Sequence, residues 1–225
     1  AVIGCHGFVG SAICRYLESN DKSYYGVNRS NFNELCSDNY DIIINSAMPS
    51  KRYWAKNNPL DDFQATVGLT ADIFYNWNYD KIIQISSVSA RCQLDQPYGI
   101  NKRCAEELVL KNKKNLVLRL GAIYGKGLEK GALFDILNGN PVYVDGKSKY
   151  NFLDVDLAAH YICELRKSSG IIEVGAKDEI SLNEIAETFK KEVSFSGSIE
   201  FQNTISPDPS YPSSFEVISF LERHK

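Results

Sequence analysis

The chain contains 225 residues, of which 44% are hydrophobic and 24% are charged, and its formal net charge is -3. This length suits one well-buried domain with a small appendage and is too short for two full domains. Because a mildly acidic protein attracts neither nucleic acid nor an anionic lipid surface, we expect no nucleic-acid partner and no membrane partner. The longest apolar runs, such as Ile42–Ile44 and Leu116–Leu118, are far shorter than a membrane-spanning helix.

Six cysteines occur at positions 5, 14, 36, 92, 104 and 163. They form no C-x-x-C pair and have no histidine neighbours at metal-ligand spacing, so we expect no metal site. We interpret them as small buried thiols in a reducing compartment. The sequence also opens without the basic and apolar segments of a secretory signal. These features predict a cytoplasmic protein.

Short apolar runs rich in Ile, Val and Leu alternate with amphipathic stretches through the first half of the sequence. This alternation is typical of a parallel sheet covered by helices on both faces, which is a doubly wound α/β fold. The predicted strands are Ala1–Gly4, Tyr24–Asn28, Asp41–Ser46, Lys81–Ser86 and Asn115–Leu120.

Apolar residues recur at helical spacing after the first strand and on both sides of the fourth strand. The three stripes are Phe8, Val9, Ala12, Ile13, Tyr16 and Leu17; Phe63, Val67, Ala71, Phe74 and Tyr75; and Ala105, Leu108 and Val109. Helix pairs such as the last two can also form a subunit interface, so the sequence is compatible with a homodimer.

The alternation becomes irregular from about Gly125 onward. A helix is predicted over Leu182–Val193, because Ser181 and Glu184 form a capping-box pattern at its start. We interpret this half as a small C-terminal cap at the carboxyl edge of the sheet, where ligands of open α/β sheets bind.

The whole chain, 1–225, is therefore expected to be one unit. Its sheet core lies mainly in 1–124, and the cap lies mainly in 125–225 together with returning core elements. A first strand normally needs five or six residues, whereas three residues precede Gly4. We therefore expect a few further residues before Ala1.

Three glycines, Gly4, Gly7 and Gly10, form a G-x-x-G-x-x-G pattern between the first strand and the first helix. Glycines at such positions let the backbone turn sharply and approach a pyrophosphate at the helix N-terminus. This strand–turn–helix context predicts that the core is a Rossmann-type, dinucleotide-binding fold. His6 is interpreted as a loop residue rather than a catalytic one.

The end of the second strand is expected to contact the adenosine ribose of the dinucleotide. An acidic residue there bonds the ribose hydroxyls, whereas an arginine accepts a 2′-phosphate. This sequence has Asn28 and Arg29 and no acid at that point. NADP is therefore the predicted cofactor and NAD the alternative; Arg29 could instead be a solvated charge or stack on adenine.

A candidate catalytic set follows the fourth strand. Ser87 ends that strand, and Tyr98 and Lys102 are four residues apart, which places them on one face of a helix. A neighbouring ammonium group favours the phenolate and lowers the pKa of tyrosine, so Tyr98 can exchange a proton with a hydroxyl or a carbonyl oxygen. The serine hydroxyl would hold the same oxygen.

At this point the sequence resembles the extended short-chain dehydrogenases/reductases of the NAD-dependent epimerase/dehydratase group, which modify nucleotide-activated sugars. The resemblance spans nearly the whole chain. The matching segments are GCHGFVG at 4–10, INSA at 44–47, ISS at 85–87, YGINK at 98–102, LRLGAIYGKG at 118–127, NFLDVDLAAH at 151–160 and EVGAKDEISLNEIAE at 173–187.

The resemblance implies roles for individual residues. Ser87 would be the hydroxyl donor, Tyr98 the acid or base, and Lys102 the partner of both the tyrosine and the nicotinamide ribose. The cofactor-binding residues that it implies, with the glycines and the residues after the second strand included, are Gly4, Gly7, Phe8, Val9, Gly10, Asn28, Arg29, Ser46, Ala47, Tyr98 and Lys102.

The sequence also departs from the family pattern. Ala122 replaces an asparagine that contacts substrate, Lys149 or Tyr150 stands where an arginine often grips a diphosphate, Asp154 replaces a histidine, and Thr66 replaces a helix asparagine. These differences and the short cap weigh against an ordinary UDP- or dTDP-sugar as the substrate, while the redox residues are intact.

The residues after Ser87 bear on the reaction. Family 4,6-dehydratases carry an Asp-Glu pair there, whereas this chain has Val88 and Ser89, so dehydration is not expected. Arg29 and the compact cap favour NADPH-dependent reduction of a nucleotide-linked 4-ketosugar. One alternative is a nucleotide-sugar 4-epimerase that uses bound NAD. An alternative of another class is a non-catalytic NADP-binding sensor or scaffold protein, although relatives of that kind usually lack the tyrosine or the lysine.

Two further features near these motifs have open interpretations. Cys92 and the pair Lys51-Arg52 are either substrate contacts or, respectively, a small loop residue and solvated charges.

Overall fold

The structure is a computed structural model, and it describes residues 1–190, 192–205 and 207–223. The chain divides into two units, which are Ala1–Leu120 with Ala159–Ile172, and Gly121–Ala158 with Glu173–Lys225.

The strands of the described chain are β1 Val2–Ile3, β2 Gly26–Val27, β3 Asn39–Asn45, β4 Asn78–Ser87, β5 Leu116–Leu120, β6 Ile123–Tyr124, β7 Lys149–Tyr150, β8 Leu153–Asp154, β9 Gly170–Val174, β10 Ile180–Ser181 and β11 Phe201–Gln202. Its α-helices are α1 Phe8–Ser19, α2 Phe32–Leu35, α3 Arg52–Asn57, α4 Pro59–Phe63, α5 Leu69–Asn76, α6 Ser89–Cys92, α7 Pro97–Val109, α8 Ala132–Asn138, α9 Val155–Glu164, α10 Leu182–Thr188 and α11 Glu216–Glu222. A π-helical segment, Gln64–Gly68, joins α4 to α5, and a short 3₁₀ segment, Leu165–Lys167, follows α9.

A six-stranded sheet organises the first unit in the order β2-β1-β3-β4-β5-β9. The pairs from β2 to β5 are parallel, as the α/β pattern predicts. Ile43, Ile82 and Leu118 are completely buried, because helices cover both faces of the sheet. The parallel order brings the carboxyl ends of β1, β3 and β4 to one edge.

Each of the five predicted strands is present, with shifted ends. The fourth is longer than predicted, at Asn78–Ser87. The edge strand β2 has only two residues, Gly26 and Val27. The sixth strand, β9, has no counterpart in the sequence prediction, because its residues are mostly half-exposed and lack a continuous apolar run.

The rod formed by α4, the π-helical segment and α5 buries a different face from the apolar stripe that the sequence predicts. Phe63 is 39% exposed and Tyr75 is 71% exposed. The completely or almost completely buried side chains of the rod are Asp62, Thr66, Thr70 and Ile73. A mostly polar row therefore faces inward where the sequence pattern indicated apolar residues.

Part of this row joins a buried network that reaches the centre of the sheet. The Thr70 hydroxyl donates to the Thr66 carbonyl at 2.7 Å, and the Gln84 amide donates to the Thr70 hydroxyl at 3.3 Å. Asn45 on β3 in turn donates to the Gln84 side-chain oxygen at 3.0 Å. Buried polar groups that pair in this way offset their desolvation cost, which explains why the rod tolerates Thr70 inside. The Thr66 hydroxyl, in contrast, is buried without a hydrogen-bond partner among the described residues.

The second unit has two small sheets and its own apolar core. Strand β7 lies between β10, which is antiparallel to it, and β11, which is parallel, while β6 and β8 form a separate parallel pair. Helices α8, α10 and α11 contribute Leu133, Ile136, Ile185, Val217 and Leu221 to the core.

The capping box at the start of α10 is confirmed. The Glu184 amide donates to Ser181 Oγ at 3.2 Å, and the Ser181 amide donates to Glu184 Oε2 at 2.8 Å. The helix ends at Thr188 rather than at Val193, and the backbone of Lys190 has a positive φ of 49°. Lys191, also within the predicted helix, lies outside the described residues.

None of the helices in the described ranges is both long enough and apolar enough to pass through a membrane.

A buried ion pair connects α7 to β5 in the first unit. Arg119 donates to both oxygens of the Glu106 carboxylate, with an Nη2–Oε2 distance of 2.6 Å, and the Ser86 hydroxyl donates to Glu106 at 2.6 Å. The Arg119 and Glu106 side chains are 6% and 0% exposed, respectively. A buried charge of this kind needs its partner, because neither ion is compensated by water.

We therefore predict that Arg119→Met lowers the free energy of unfolding by about 3–5 kcal/mol, because Glu106 is left buried and unpaired. Urea denaturation followed by circular dichroism measures the loss. The matched control is Arg103→Met, which removes an exposed pair with Glu107 on the same helix and should cost about 0.2–1 kcal/mol. Equal losses in the two variants would contradict the importance of the buried pair.

Candidate functional site

Close approach of the glycines shapes the loop between β1 and α1. Gly4 has a φ of +82°, and a Cβ on it would lie 2.8 Å from the Ala47 Cα. A Cβ on Gly10 would lie 2.1 Å from the Gly4 carbonyl oxygen. The Gly7 amide donates to that same oxygen at 2.8 Å. The loop is consequently a tight turn with no space for side chains at positions 4 and 10.

The N-terminus of α1 follows this turn. Its cap residue, Gly7, provides no side-chain cap, and the first turn has no acidic residue. The amides of Phe8, Val9 and Gly10 precede Ser11, whose amide makes the first helical hydrogen bond, to the Gly7 carbonyl at 2.8 Å. Free amides and the positive end of the helix dipole favour an anion. The loop and helix therefore fit the pyrophosphate of a dinucleotide.

Ser46 and Ala47 follow β3 and pack against the glycine loop. The Ser46 hydroxyl donates to the Ile3 carbonyl at 2.7 Å, and a Cβ on Gly10 would lie 2.7 Å from the same hydroxyl oxygen. The Ala47 amide donates to the Asn45 side chain at 3.2 Å. The structure thus brings these two predicted residues together with the glycines.

Asn28 and Arg29 follow β2, and the parallel pairing of β2 with β1 places them at the same sheet edge. The Asn28 side-chain oxygen accepts from the Ser30 amide at 2.8 Å and from its hydroxyl at 2.6 Å. The backbone amide of Asn28 donates to the Asn31 side-chain oxygen at 2.8 Å. Asn28 therefore organises the turn, and the exposed Arg29 is the charged side chain of this segment.

The candidate catalytic residues lie on two adjoining elements of the first unit. Ser87 is the last residue of β4, and Tyr98 and Lys102 lie one turn apart on α7. The Lys102 Nζ lies over the Tyr98 ring, 5.2 Å from its centroid. The Ser87 hydroxyl accepts from the Ser89 amide at 3.2 Å and also hydrogen-bonds Tyr98. The structure brings all three side chains together.

Burial dominates the acid–base properties of the tyrosine. It raises the pKa of Tyr98 to about 12, whereas Arg52 and the hydrogen bond with Ser87 act to lower it and Asp62 acts to raise it. Arg52 and Ser87 therefore act to lower this pKa, and the lowering by Lys102 that the sequence predicts stays a prediction. Since Tyr98 is protonated near neutral pH, it can donate a proton.

Burial also controls the charge of the lysine. It lowers the pKa of Lys102 to about 7, and the carboxylates of Asp62 and Glu106 oppose this effect. A cation favours a position over an aromatic ring, which adds to the stabilisation of the charged form above Tyr98. Lys102 is therefore close to its titration midpoint at neutral pH.

Sequence reasoning missed two buried acids beside this set, Asp62 and Glu106, of which Glu106 is paired with Arg119. Asp62 is completely buried on α4, and its Oδ2 accepts from the Asn101 side chain at 2.8 Å. Asn101 lies between Tyr98 and Lys102 in the sequence. One sequence feature could have indicated Asp62: it lies four residues before the polar Thr66, so the two residues share one side of a helix.

The residues that depart from the family pattern mostly lie in the second unit. Tyr150 is buried and donates to Glu200 at 2.9 Å, Lys149 pairs with Glu179 at 2.8 Å, and Ala122 packs against the apolar core. Asp154 accepts from the Asp156 amide at 2.8 Å and so caps the start of α9. Each of these side chains has a local structural role. Thr66, in the first unit, is completely buried.

The other candidates have simple surroundings. His6 is exposed in the glycine loop, and the Cys92 thiol donates to the Val88 carbonyl at 3.3 Å. Among the residues that the structure describes, no group of three or more His, Cys, Asp or Glu side chains is arranged to hold a metal ion.

Several solved structures share this fold. MoeE5 in complex with UDP-glucose and NAD is 17% identical, with a TM-score of 0.78 over 97% of this chain and 91% of that chain. The UDP-glucose 4-epimerase of Thermotoga maritima, in complex with UDP-glucose, is 16% identical, with a TM-score of 0.75 over 98% and 95%. RMD from Pseudomonas aeruginosa complexed with NADPH is 16% identical, with a TM-score of 0.71 over 91% and 89%.

Comparison with curated protein sequences gives no significant match. Comparison with family models matches residues 1–175, which include the glycine loop, both elements of the candidate catalytic set and the returning strand β9. The match covers more than half of the chain. The chain therefore belongs to the NAD dependent epimerase/dehydratase family.

Proposed function

We propose that this protein is an NADPH-dependent oxidoreductase that reduces a nucleotide-linked 4-ketosugar. The observation that carries the proposal is the buried Tyr98, hydrogen-bonded to Ser87 and one helical turn from Lys102. A buried acid beside a hydroxyl donor and a lysine is suited to proton transfer at a carbonyl or hydroxyl oxygen. The proposed catalytic residues are these three.

The cofactor would be held by the glycine loop, by the amides of Phe8 and Val9, by Ser46 and Ala47, and by Lys102. When bound, reduced nicotinamide supplies a hydride for the carbonyl carbon.

Tyr98 donates its hydroxyl proton to the carbonyl oxygen, and Ser87 hydrogen-bonds the same oxygen. The charged form of Lys102 stabilises the phenolate that remains, and a proton from solvent then restores the phenol.

Arg29 supports NADPH in preference to NADH. It is the exposed cation after β2, and no carboxylate accompanies it in the turn that Asn28 organises. A guanidinium group can pair with a 2′-phosphate, whereas an acid at this point would repel it. RMD, one of the similar structures, is complexed with NADPH, while MoeE5 holds NAD.

Family membership and the fold support a nucleotide-sugar as substrate, since MoeE5 and the Thermotoga maritima enzyme are both in complex with UDP-glucose. Val88 and Ser89, which follow Ser87, carry no carboxylate and so do not support a dehydratase. The six cysteines are free thiols, which supports a cytoplasmic location.

The second candidate is 4-epimerisation with retained NAD. The favouring observation is that Ser87, Tyr98 and Lys102 could serve oxidation and re-reduction of the same carbon, and an epimerase shares the fold. The two activities are separated by stoichiometry. A reductase consumes one NADPH for each ketosugar, whereas an epimerase interconverts two sugars without net consumption of cofactor.

We predict that Tyr98→Phe lowers kcat/KM by about 10²- to 10⁴-fold and leaves the affinity for NADPH unchanged, because only the ionisable hydroxyl is removed. NADPH oxidation with a panel of nucleotide-linked 4-ketosugars measures turnover, and calorimetry measures cofactor binding. Tyr75→Phe, at an exposed tyrosine of α5, is the matched control and should keep full activity. Full activity in Tyr98→Phe would contradict the mechanism.

If the parent protein binds NADPH but turns over no sugar of the panel, the non-catalytic sensor or scaffold gains support instead.

We also predict that NADPH binds more tightly than NADH, by about tenfold or more, and that Arg29→Asp reverses this order. Calorimetry with both nucleotides on both proteins provides the test. Lys111→Asp makes the same change of net charge at an exposed residue just after α7, so it should leave the ratio unaltered. Equal affinities of the parent protein for the two nucleotides would show that Arg29 does not select the cofactor.

A further inference from the structure

Asp62 is a fully buried acid that has no role in the proposed mechanism. Its side chain is 0% exposed in α4. Oδ2 accepts a hydrogen bond from Asn101, whereas Oδ1 is buried without a hydrogen-bond partner among the described residues. Desolvation of a carboxylate is costly unless a charge or further hydrogen bonds compensate it, so this orphan oxygen requires an explanation.

The lysine on which this carboxylate acts lies on the facing helix, α7. Lys102 is 3% exposed and directly follows Asn101, whose side chain donates to Asp62. The carboxylate acts on both Lys102 and Tyr98, raising the pKa of each. Arg52, on α3, is the cation that faces Tyr98 and acts in the opposite direction on the phenol.

The other acid near Lys102 already has a cationic partner. Glu106 lies one turn further along α7, and it binds Arg119 through both carboxylate oxygens. Both carboxylates act to raise the pKa of Lys102, and Asp62 is the larger of the two causes. The paired charge of Glu106 therefore contributes less to Lys102 than the charge of Asp62.

We propose that Asp62 is a positioning residue whose buried carboxylate serves as the counter-charge that stabilises the protonated form of Lys102 beside Tyr98, with Asn101 orienting that carboxylate. An isolated ammonium group in such a buried position releases its proton, so the lysine depends on this charge. The catalytic meaning of the proposal rests on the proposed function, whereas the electrostatic claim is measurable in the protein alone.

The direct test is the titration of Lys102 by NMR. Protein labelled with ¹³C and ¹⁵N in lysine is titrated without cofactor or substrate, and the Lys102 resonance is assigned by its loss in Lys102→Arg. In the parent, burial places the pKa of Lys102 at about 7. In Asp62→Asn we expect this pKa to fall by about one unit or more, because an opposite charge has been removed.

Asp61→Asn is the matched control. It removes the same charge from the neighbouring, exposed position, where solvent screens it, so the pKa of Lys102 should move by less than about 0.3 unit. An equal shift in the two variants would overturn the proposal, since a general change of net charge would then explain both.

A double variant addresses the stability of the buried site. In Asp62→Leu/Asn101→Leu, both members of the hydrogen-bonded pair become apolar groups of similar shape, a change that can be nearly neutral for folding. The pKa of Lys102 should again fall by about one unit or more. An unchanged pKa of Lys102 in the folded variants would overturn the proposal whatever their activity.

The pH dependence of kcat/KM then separates the two proposals. The loss of activity on the alkaline side should move to lower pH in Asp62→Asn by the same amount as the pKa of Lys102. A fall of that pKa with an unmoved pH profile would support the counter-charge and would contradict the role of Lys102 in the proposed function.

Discussion

The inward face of α7 carries charge into a part of the protein that water does not reach, and the neighbouring elements have to compensate for it. Glu106 is compensated by Arg119 on β5, which ties the helix to the sheet. The polar Asn101 side chain, which is uncharged, donates a hydrogen bond to Asp62 on α4. Because these partners come from both sides, they fix the rotation of α7 and with it the positions of Tyr98 and Lys102. The candidate catalytic geometry is thus a product of buried electrostatics as much as of apolar packing.

Much of this arrangement was predictable from local patterns. Strand β5 and the carboxyl-terminal halves of β3 and β4 are buried, so their apolar runs stand out in the sequence. The parallel order then brings the glycine loop and Ser87 to one edge. The spacing of Tyr98 and Lys102 places them on one helix face without any tertiary information. The capping box of α10 was likewise predictable, since it depends on two residues three positions apart.

Several features that escaped prediction depend on partners distant in sequence. Asp62 and Asn101 are separated by 39 residues, and nothing in either neighbourhood indicates that they meet. The inward face of the α4–α5 rod is polar because Thr70 bonds Gln84 on β4, a compensation that periodicity does not reveal. The same limit applies to the pKa of Tyr98, which is set mainly by the extent of its burial and by contacts from Arg52 and Ser87.

Substitutions at the three glycines of the first loop would test different properties of the protein. A methyl group on Gly4 or Gly10 collides with backbone of the protein itself, so variants at these positions disturb folding and say little about a ligand. Gly7 has an ordinary φ of -75°, and a Cβ there would meet only the Gly4 oxygen, at 3.2 Å. It is consequently the position at which a small side chain tests the space outside the loop. A substitution at Gly7 therefore tests nucleotide binding, whereas substitutions at Gly4 and Gly10 test chain folding.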